Sequence, residues 1–144
     1  MTIIRDLAAA DRAQWAPLWA GYLAFYKSAL PDDVTETTFQ RFLDPSEPMF
    51  ALVAEREGKL VGVVQCVLHR ATWTKTHYCY LEDLFVAPDV RGGGVGRALI
   101  EAVYARADAA GATRVYWLTH ETNATARTLY DKVATNAGFI QYRR

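Results

Sequence analysis

Hydrophobic residues near the N-terminus of this 144-residue chain recur every three or four positions. The segment "AAADRAQWAPLWAGYLAFYKSAL" (residues 8–30) therefore predicts an amphipathic helix. Asp11 can cap its start, and Pro17 predicts a late start or a kink. The shorter segment "TETTFQRFL" (residues 35–43) predicts a second helix, with Thr35 as its cap.

Apolar runs of strand length occupy the middle of the chain. A short first strand is predicted at "TIIRDL" (residues 2–7), before the first helix. The run "MFALVAEREGKLVGVVQCVLHR" (residues 49–70) predicts a hairpin that turns at Glu57-Gly58-Lys59. The next strand is predicted at "YCYLEDLFVA" (residues 78–87), which Pro88 ends.

The C-terminal half alternates between helix and strand patterns. A helix over residues 94–110 is closed by Gly111, and "TRVYWLTH" predicts a strand after it. The run "NATARTLYDKVATNA" predicts a helix that Asn123 can cap, and "GFIQYRR" predicts a terminal strand. This order of elements predicts an α/β or α+β fold with helices on both faces of one sheet.

Composition restricts the class of protein. The length suits a single domain, residues 1–144, with a sizeable core. Lysine and arginine together number 16, as do aspartate and glutamate, and this zero net charge argues against a general nucleic-acid binder. No apolar run approaches the roughly 18 residues that span a membrane, and charges interrupt the N-terminus where a signal peptide is apolar. We therefore expect a cytoplasmic protein that binds neither nucleic acid nor membrane.

Cysteine and histidine positions give no sign of a metal site. Cys66 and Cys79 lie in apolar strand-like runs, which predicts buried thiols rather than a disulfide. His69, His77 and His120 are too scattered along the chain to predict a shared metal ion.

The clearest chemical signal is "RGGGVGR" (residues 91–97), between a predicted strand and a predicted helix. Amides at a helix N-terminus have no internal partner and carry partial positive charge, and glycines let these amides approach an anion. Arg91 and Arg97 add positive charge. The spacing fits neither a P-loop nor a dinucleotide fingerprint. The loop therefore predicts a phosphate or pyrophosphate site, with a flexible turn that binds nothing as the alternative.

These residues also carry a family resemblance. Arg91-Gly92-Gly93-Gly94-Val95-Gly96 resembles the Gln/Arg-x-x-Gly-x-Gly/Ala signature of the GNAT superfamily of N-acetyltransferases. "YLEDLFVAPDVRGGGVGRALIEAV" is similar to the family's motif A, and "NATARTLYDKV" is similar to its motif B. The resemblance implies a mixed, mostly antiparallel central sheet with helices on both faces. It also implies that a splayed parallel strand pair, residues 78–87 and 114–120, holds acetyl-CoA.

The resemblance further implies which residues bind this co-substrate. The pantetheine arm would pair with the backbone of Leu84, Phe85 and Val86, and Asn123 would form a hydrogen bond with it. The pyrophosphate would lie on the loop residues Arg91, Gly92, Gly93, Gly94, Val95, Gly96 and Arg97.

Acetyl transfer to an amine needs a group that removes a proton from the ammonium form. Glu82 stands where the family often has such an acid; an ordinary ion pair is the alternative. Because strand residues alternate between faces, we expect Glu82 and Asp83 to point in opposite directions. Tyr130 occupies the motif B tyrosine position, which in the family commonly serves as the acid for the leaving thiolate; core packing is the alternative.

The run "YLED" is similar to the diamine and polyamine acetyltransferase branch, which implies a small cationic acceptor. Glu82, Asp83, Trp73 and Tyr80 are expected to contact this amine through charge and ring faces, so that Glu82 acts either as the base or only in substrate binding. A peptide N-terminus or a lysine side chain is the alternative acceptor. A catalytically weak acyl-CoA-binding sensor or interaction module is the alternative from another class. Because neither cysteine has a histidine in a recognisable nucleophile arrangement, we expect direct transfer in a ternary complex.

The C-terminal part departs from the family pattern. A longer stretch, "DKVATNA", separates Tyr130 from Gly138-Phe139, and only one strand is expected where family members have a further hairpin strand. Because an unpaired sheet edge is usually covered, we expect a homodimer.

Overall fold

The computed structural model describes residues 1–144, in which five strands form one sheet. The strands, adjacent in this order, are β1 (Thr2–Asp6), β2 (Met49–Arg56), β3 (Lys59–His69), β4 (Tyr78–Val86) and β5 (Val115–Tyr116). Neighbours from β1 to β4 are antiparallel, and β4 and β5 are parallel. This confirms the predicted mixed, mostly antiparallel sheet.

Helices cover both faces of the sheet. They are α1 (Arg12–Phe25), α2 (Asp32–Leu43), α3 (Val95–Ala109) and α4 (Ala124–Val133). One apolar cluster joins α1 and α2 to one face, and another joins α3 and α4 to the opposite face. Cys66 and Cys79 are buried in the second cluster, as predicted. None of these helices combines the length and apolar content needed to cross a bilayer.

The first helix differs from its prediction in the role of Asp11. A short 3₁₀ turn covers residues 9–11, and α1 continues from Arg12 through Pro17. The Asp11 carboxylate accepts hydrogen bonds from the Ala8 amide and from Arg5, so it closes the 3₁₀ turn and does not cap α1.

The second helix begins three residues earlier than predicted. Asp32 and Asp33 lie in its first turn, where negative charge is favourable to the helix dipole. Thr35, predicted as the cap, instead accepts a hydrogen bond from the Trp19 indole at 3.1 Å. The Thr35 hydroxyl therefore accepts a tertiary hydrogen bond from α1 and does not cap its own helix.

The predicted hairpin is confirmed between β2 and β3. Glu57 and Gly58, at φ +52° and +78°, form its two-residue turn in the left-handed region. Two consecutive positive φ values are the geometry that matches the twist of paired strands.

A bulge interrupts the pairing of β3 with β4. Gln65 lies opposite Asp83, but Cys66 lies opposite Leu81, which leaves Glu82 as an extra residue in β4. An extra residue breaks the period of two along the strand. The bulge interrupts the alternation on which the predicted opposite orientation of Glu82 and Asp83 depends, and both residues line the same pocket on the α1–α2 side.

The two parallel strands separate soon after they meet. They pair only at Cys79 with Val115 and at Tyr80 with Tyr116, while β4 continues to Val86. This confirms the splayed pair, although β5 is much shorter than the predicted residues 114–120.

The predicted terminal strand at residues 138–144 does not form. Residues 134–144 have no regular secondary structure, and Phe139, Ile140 and Tyr142 are 75–91% exposed. A strand exists only by pairing with a neighbour, and the two residues of β5 offer this apolar segment little edge to pair with.

Candidate active site

Two glycines give the loop before α3 its shape. Gly92 and Gly94 have φ values of +87° and +84°, and a Cβ placed on either would meet no atom within 4 Å. Backbone conformation therefore requires these glycines, since the left-handed region is strained for other residues. The space beside both remains open to a ligand.

Gly96 differs from these two glycines because neither its φ nor its surroundings exclude a side chain. A Cβ at this position would lie 3.4 Å from Leu129 on α4 and 3.8 Å from Val86 on β4, which are ordinary van der Waals distances. The start of α3 therefore lies directly against both elements that flank the splayed strands.

The first amides of α3 are available as donors. The helix begins at Val95 with no side-chain cap, and its first internal bond joins the Ala98 amide to the Gly94 carbonyl at 3.0 Å. The amides of Val95, Gly96 and Arg97 therefore have no helical acceptor and lie at the positive end of the helix dipole. This donor set fits a pyrophosphate, whose anionic oxygens accept several hydrogen bonds.

The predicted loop arginines are already engaged within the chain. The Arg91 Nε donates to the Val86 carbonyl at 3.0 Å, and its guanidinium lies 5.3 Å from the Phe85 ring centroid. The Arg97 Nε donates to Glu101 at 2.9 Å, one helical turn away. Arg91 thus ties the loop to the end of β4, while Arg97 stabilises the exposed side of α3.

A third arginine at the loop was not predicted. The Arg56 Nη2 lies 3.9 Å from the position that a Cβ on Gly93 would occupy. Thr2 on β1 holds this guanidinium through hydrogen bonds of 2.9 and 3.1 Å. Arg56 is distant in sequence, at the end of a hairpin strand, so no local pattern connects it to the loop.

The predicted pantetheine stretch lies at the open edge of β4. Leu84, Phe85 and Val86 pair with β3 on one side, through residues 62–64. On the other side β5 has already diverged, so no strand pairs with this edge. The backbone there is placed to accept an extended ligand by strand addition.

Asp83 is buried without a cationic partner. It is 9% exposed, and its Oδ2 accepts a 2.8 Å hydrogen bond from the Gln65 amide nitrogen. The nearby Tyr22 hydroxyl also favours the ionised form of this carboxylate. Burial raises the pKa of Asp83 to about 6, against the opposing effect of these two neutral groups.

Glu82 is exposed, and its backbone carbonyl accepts a 3.4 Å hydrogen bond from the Tyr22 hydroxyl. Together with Asp83 it lines a pocket of about 170 Å³ between the sheet and the first two helices. The other residues lining this acidic pocket are apolar or neutral: Trp19, Leu30, Thr38, Phe42, Met49, Gln65, Cys66 and Val67. The lining thus contains two acids and no base.

Tyr130 lies on α4, half-buried, with its ring against Trp117 at 5.4 Å between centroids. Burial, together with the nearby Tyr26 phenol, raises the pKa of Tyr130 to about 12. The phenol is therefore protonated at neutral pH and is competent to donate. Tyr26 also contacts His120, at 5.5 Å between rings, so α1 reaches across to the segment after β5.

Asn123 caps α4, as predicted. Its Oδ1 accepts from the Ala126 amide at 3.5 Å, and its Nδ2 donates to the Thr119 hydroxyl at 3.3 Å. The cap fixes the side chain at the N-terminus of the helix that carries Tyr130.

The structure does not bring the two predicted aromatic contacts into the acidic pocket. Trp73 is 81% exposed in the β3–β4 loop, with the Arg114 guanidinium 5.7 Å from its ring centroid. Tyr80 stacks on Tyr116 with centroids 5.0 Å apart. Neither ring lines the pocket, and their contact with an acceptor amine remains a prediction.

Sequence reasoning also missed the groups that contact Asp83 from other elements. Tyr22 belongs to the apolar stripe of α1, and Gln65 is one polar residue within the apolar strand β3. A glutamine inside an otherwise buried strand is the one signal that could have pointed to a polar contact there.

Comparison with known proteins places this geometry in a family. Residues 15–134 match the model of the acetyltransferase (GNAT) family. The D-amino-acid N-acetyltransferase of Saccharomyces cerevisiae is 36% identical over 144 residues, covering 99% of this chain and 89% of the relative.

Solved structures agree with this assignment. A ribosomal-protein-alanine N-acetyltransferase from Brucella melitensis biovar Abortus 2308 is 25% identical in sequence and superposes with a TM-score of 0.80. The match covers 100% of this chain and 98% of the other. An aminoglycoside N-acetyltransferase in complex with CoA shares the fold, with a TM-score of 0.86 at 18% identity, covering 100% of this chain and 94% of the other.

The chain belongs to the GNAT family of acetyltransferases. It is an acetyl-CoA-dependent N-acetyltransferase, with acetyl-CoA as co-substrate. The predicted fold class and co-substrate are thereby confirmed.

Proposed function

We propose that the acceptor is a small primary amine that enters the acidic pocket as a cation, of the diamine or polyamine class. The observation that carries this proposal is that Glu82 and Asp83, at the bulge in β4, both line one pocket whose lining contains no basic residue. Two acids without a neighbouring base attract an ammonium group and repel an anion.

The size and walls of the pocket support a small acceptor. Its volume of about 170 Å³ lies below the roughly 300–1,000 Å³ of sites for drug-sized ligands. Apolar side chains such as Leu30, Phe42 and Met49 suit the methylene chain between the amino groups of a diamine.

Asp83 takes the proton of the acceptor ammonium in this proposal. Acetyl-CoA supplies a thioester carbonyl that a neutral amine attacks. A base works best when its pKa lies near the working pH, and Asp83 meets this condition at about 6. The exposed Glu82, first predicted as the base, attracts the ammonium at the entrance. No side chain becomes acetylated.

Tyr130 protonates the departing thiolate. Its phenol remains protonated at neutral pH because its pKa is raised to about 12. It lies on α4, whose N-terminal cap Asn123 follows β5 across the splay from β4.

The co-substrate occupies the loop and the open strand edge in this proposal. The amides of residues 91–97 hold the pyrophosphate, with Arg56 as an additional cation beside Gly93. The backbone of residues 84–86 pairs with the pantetheine arm, and the Asn123 amide contributes a further hydrogen bond.

D-amino acids are a second candidate acceptor class. The observation in their favour is the 36% identity with a relative that is a D-amino-acid N-acetyltransferase. Because the acidic pocket has no base to pair with an α-carboxylate, that group would have to lie outside the lining described above.

An acceptor panel separates these candidates. The protein is incubated with acetyl-CoA and diamines, polyamines, D- and L-amino acids, the corresponding amino-acid amides, or basic peptides, and thiol release is followed. We expect the highest kcat/KM with diamines or polyamines, and amides preferred over free amino acids. A preference for D-amino acids over their amides would contradict the proposed acceptor class. Absence of turnover across the panel, with tight CoA binding, would contradict the whole proposal.

A matched pair of glycine variants tests the loop. Gly94 and Gly111 have similar positive φ values and equal space, but they lie at opposite ends of α3. Gly94→Ala is expected to raise the KM for acetyl-CoA several-fold, whereas Gly111→Ala carries the same backbone strain and leaves this KM unchanged. Equal KM values in the two variants would contradict the loop assignment.

The chain is further proposed to be one domain that works as a homodimer in the cytoplasm. The exposed apolar side chains of Phe139, Ile140 and Tyr142 support dimerisation, since such a patch is usually covered. Two buried free thiols suit a reducing compartment. Light scattering tests the assembly: Phe139→Asp combined with Tyr142→Asp is expected to give a monomer, and an unchanged mass would contradict this interface.

A further inference from the structure

A chain of buried hydrogen bonds leads from α1 through β3 to Asp83. The Trp15 indole Nε1 donates to the Gln65 Oε1 at 2.8 Å, and the Gln65 Nε2 donates to the Asp83 Oδ2 at 2.8 Å. Trp15 is 0% exposed and Gln65 is 1% exposed, so water does not compete for either group.

The chemistry of these groups permits only one direction for this chain. An indole nitrogen is a donor and never an acceptor, so it forces the carbonyl end of the Gln65 amide toward Trp15. The NH₂ end must then face Asp83. A donor at this position stabilises the ionised carboxylate and cannot accept a proton from the neutral acid.

The indole itself is held in place by its neighbours. Trp19 stacks on it at 5.8 Å between ring centroids, Phe39 tilts against it at 5.0 Å, and the Arg12 guanidinium lies 5.4 Å from its ring. Packing on this side of the sheet therefore fixes the orientation of an amide that contacts the proposed base.

We propose that Trp15 and Gln65 are positioning residues for Asp83: the indole fixes the buried amide so that only its donor end faces the carboxylate. This inference rests on the proposed function, in which Asp83 takes the proton of the acceptor. The pair offsets part of the effect of burial and keeps Asp83 ionised at the pH where the amine is bound.

Other titratable groups also face Asp83, and they form no part of the hydrogen-bond chain from Trp15 through Gln65. Tyr22 on α1 and Tyr26 directly after its end face Asp83. Glu82 and Tyr80 lie on its own strand, and Cys66 lies on β3. None of these is basic, so the Gln65 amide and the Tyr22 hydroxyl are the groups that favour the charged form.

Trp15→Phe tests the pair because it removes the indole donor and keeps an aromatic ring. Gln65 can then rotate and turn its carbonyl toward Asp83, which favours the protonated acid. We expect the acidic limb of the kcat/KM profile to move upward by about one pH unit. Gln65→Met, which removes the donor outright, is expected to shift the limb in the same direction and serves as the test if Trp15→Phe does not fold.

The double variant and a matched control exclude a merely structural effect. Once Gln65 is methionine, loss of the indole should cause no further shift, so the two shifts should not add. Tyr104→Phe removes an aromatic donor on the opposite face of the sheet, where its hydroxyl donates to the Val133 carbonyl, and should leave the midpoint in place. Additive shifts, or an equal shift in Tyr104→Phe, would overturn the proposal.

Carboxyl ¹³C NMR separates failure of this proposal from failure of the proposed function. The Asp83 signal is assigned by its loss in Asp83→Asn, and its titration needs no activity. If this titration moves in Trp15→Phe but the activity limb does not follow, the positioning role stands and Asp83 is not the base. If the activity limb follows Asp83 in the unmodified protein but Trp15→Phe moves neither, the positioning role is refuted.

Discussion

Two aspartates are buried in this protein, and only one of them, Asp11, has a cationic partner. Asp11 is 6% exposed and Asp83 is 9% exposed. Asp11 accepts hydrogen bonds of 2.8 and 2.9 Å from the two terminal nitrogens of Arg5, which hold the pKa of its carboxyl below the usual range. Asp83 has only neutral donors, and burial raises its pKa to about 6.

The difference shows that the charge of the hydrogen-bond partner, rather than the depth of burial, decides whether the pKa of a buried acid is lowered or raised. A cation compensates for the lost hydration of Asp11, so this carboxylate remains charged and joins β1 to the start of α1. Asp83 is without such compensation, and an uncompensated acid beside a pocket and an open strand edge is typical of a catalytic site.

Exchange of each aspartate for asparagine should affect activity very differently. Asp83→Asn keeps the shape and removes the base, and we expect kcat/KM to fall by at least about 100-fold. Asp11→Asn is the matched control and should stay within about twofold of the unmodified enzyme at a temperature where both are folded, since a change remote from reacting groups leaves the barrier unchanged. Steady-state thiol release measures both. Equal losses in the two variants would contradict the distinction drawn between them.

Removal of the cation beside Asp11 should convert it into an uncompensated acid. Arg5→Met is expected to lower the free energy of unfolding by about 2–3 kcal/mol at pH 7, measured by urea denaturation. Because the folded-state pKa of Asp11 is depressed, this difference should shrink as the pH falls below about 4.

An exposed ion pair provides the control for that measurement. Arg41 is 4.0 Å from Glu47, with both side chains substantially exposed, and Arg41→Met should change stability by less than about 0.5 kcal/mol. A comparable loss in both variants would mean that the partner of Asp11 has no special role.

Asp83→Asn should also stabilise the protein. Because its pKa is raised in the folded state, ionisation of Asp83 lowers stability as the pH rises from about 4 to about 6. At pH 8 we expect the variant to be more stable by about 1–3 kcal/mol, with the gain lost by pH 4. Thermal unfolding across this pH range measures the effect. A variant less stable than the parent at pH 8 would show that the charge of Asp83 is compensated after all.

Tyr104 and Tyr130 provide a second pair of groups, both half-buried, for which we expect smaller effects on activity and stability than for the aspartates. The Tyr104 hydroxyl donates to the Val133 carbonyl at 2.8 Å and joins α3 to α4, whereas Tyr130, whose ring packs against Trp117, is the proposed acid for the leaving thiolate. Tyr130→Phe should lower kcat about tenfold with little change in stability. Tyr104→Phe should lower stability by about 1 kcal/mol and leave kcat in place. A loss of kcat in Tyr104→Phe, with kcat unchanged in Tyr130→Phe, would contradict the role proposed for Tyr130.

Local patterns were enough to predict most of the secondary structure. The positions of β1 to β4 along the chain, the hairpin turn at Glu57 and Gly58, and the start of α3 all depend on residues adjacent in sequence. The terminal strand did not form because its hydrophobic pattern could not supply a paired neighbour. The cap predicted at Asp11 did not form because Arg5 and the Ala8 amide donate to its carboxylate, and the cap at Thr35 did not form because the Trp19 indole donates to its hydroxyl.

The glycine-rich loop and its family signature were likewise determined by the sequence alone. Positive φ at Gly92 and Gly94 and the free amides at the start of a helix are local properties of five or six consecutive residues. Only the tertiary structure decided which acid is buried, because the bulge at Glu82 depends on the register between two strands. It alone also brought Trp15 and Gln65, 50 residues apart, into the hydrogen-bond chain that ends at Asp83, since burial between helix and sheet selects partners without regard to sequence distance.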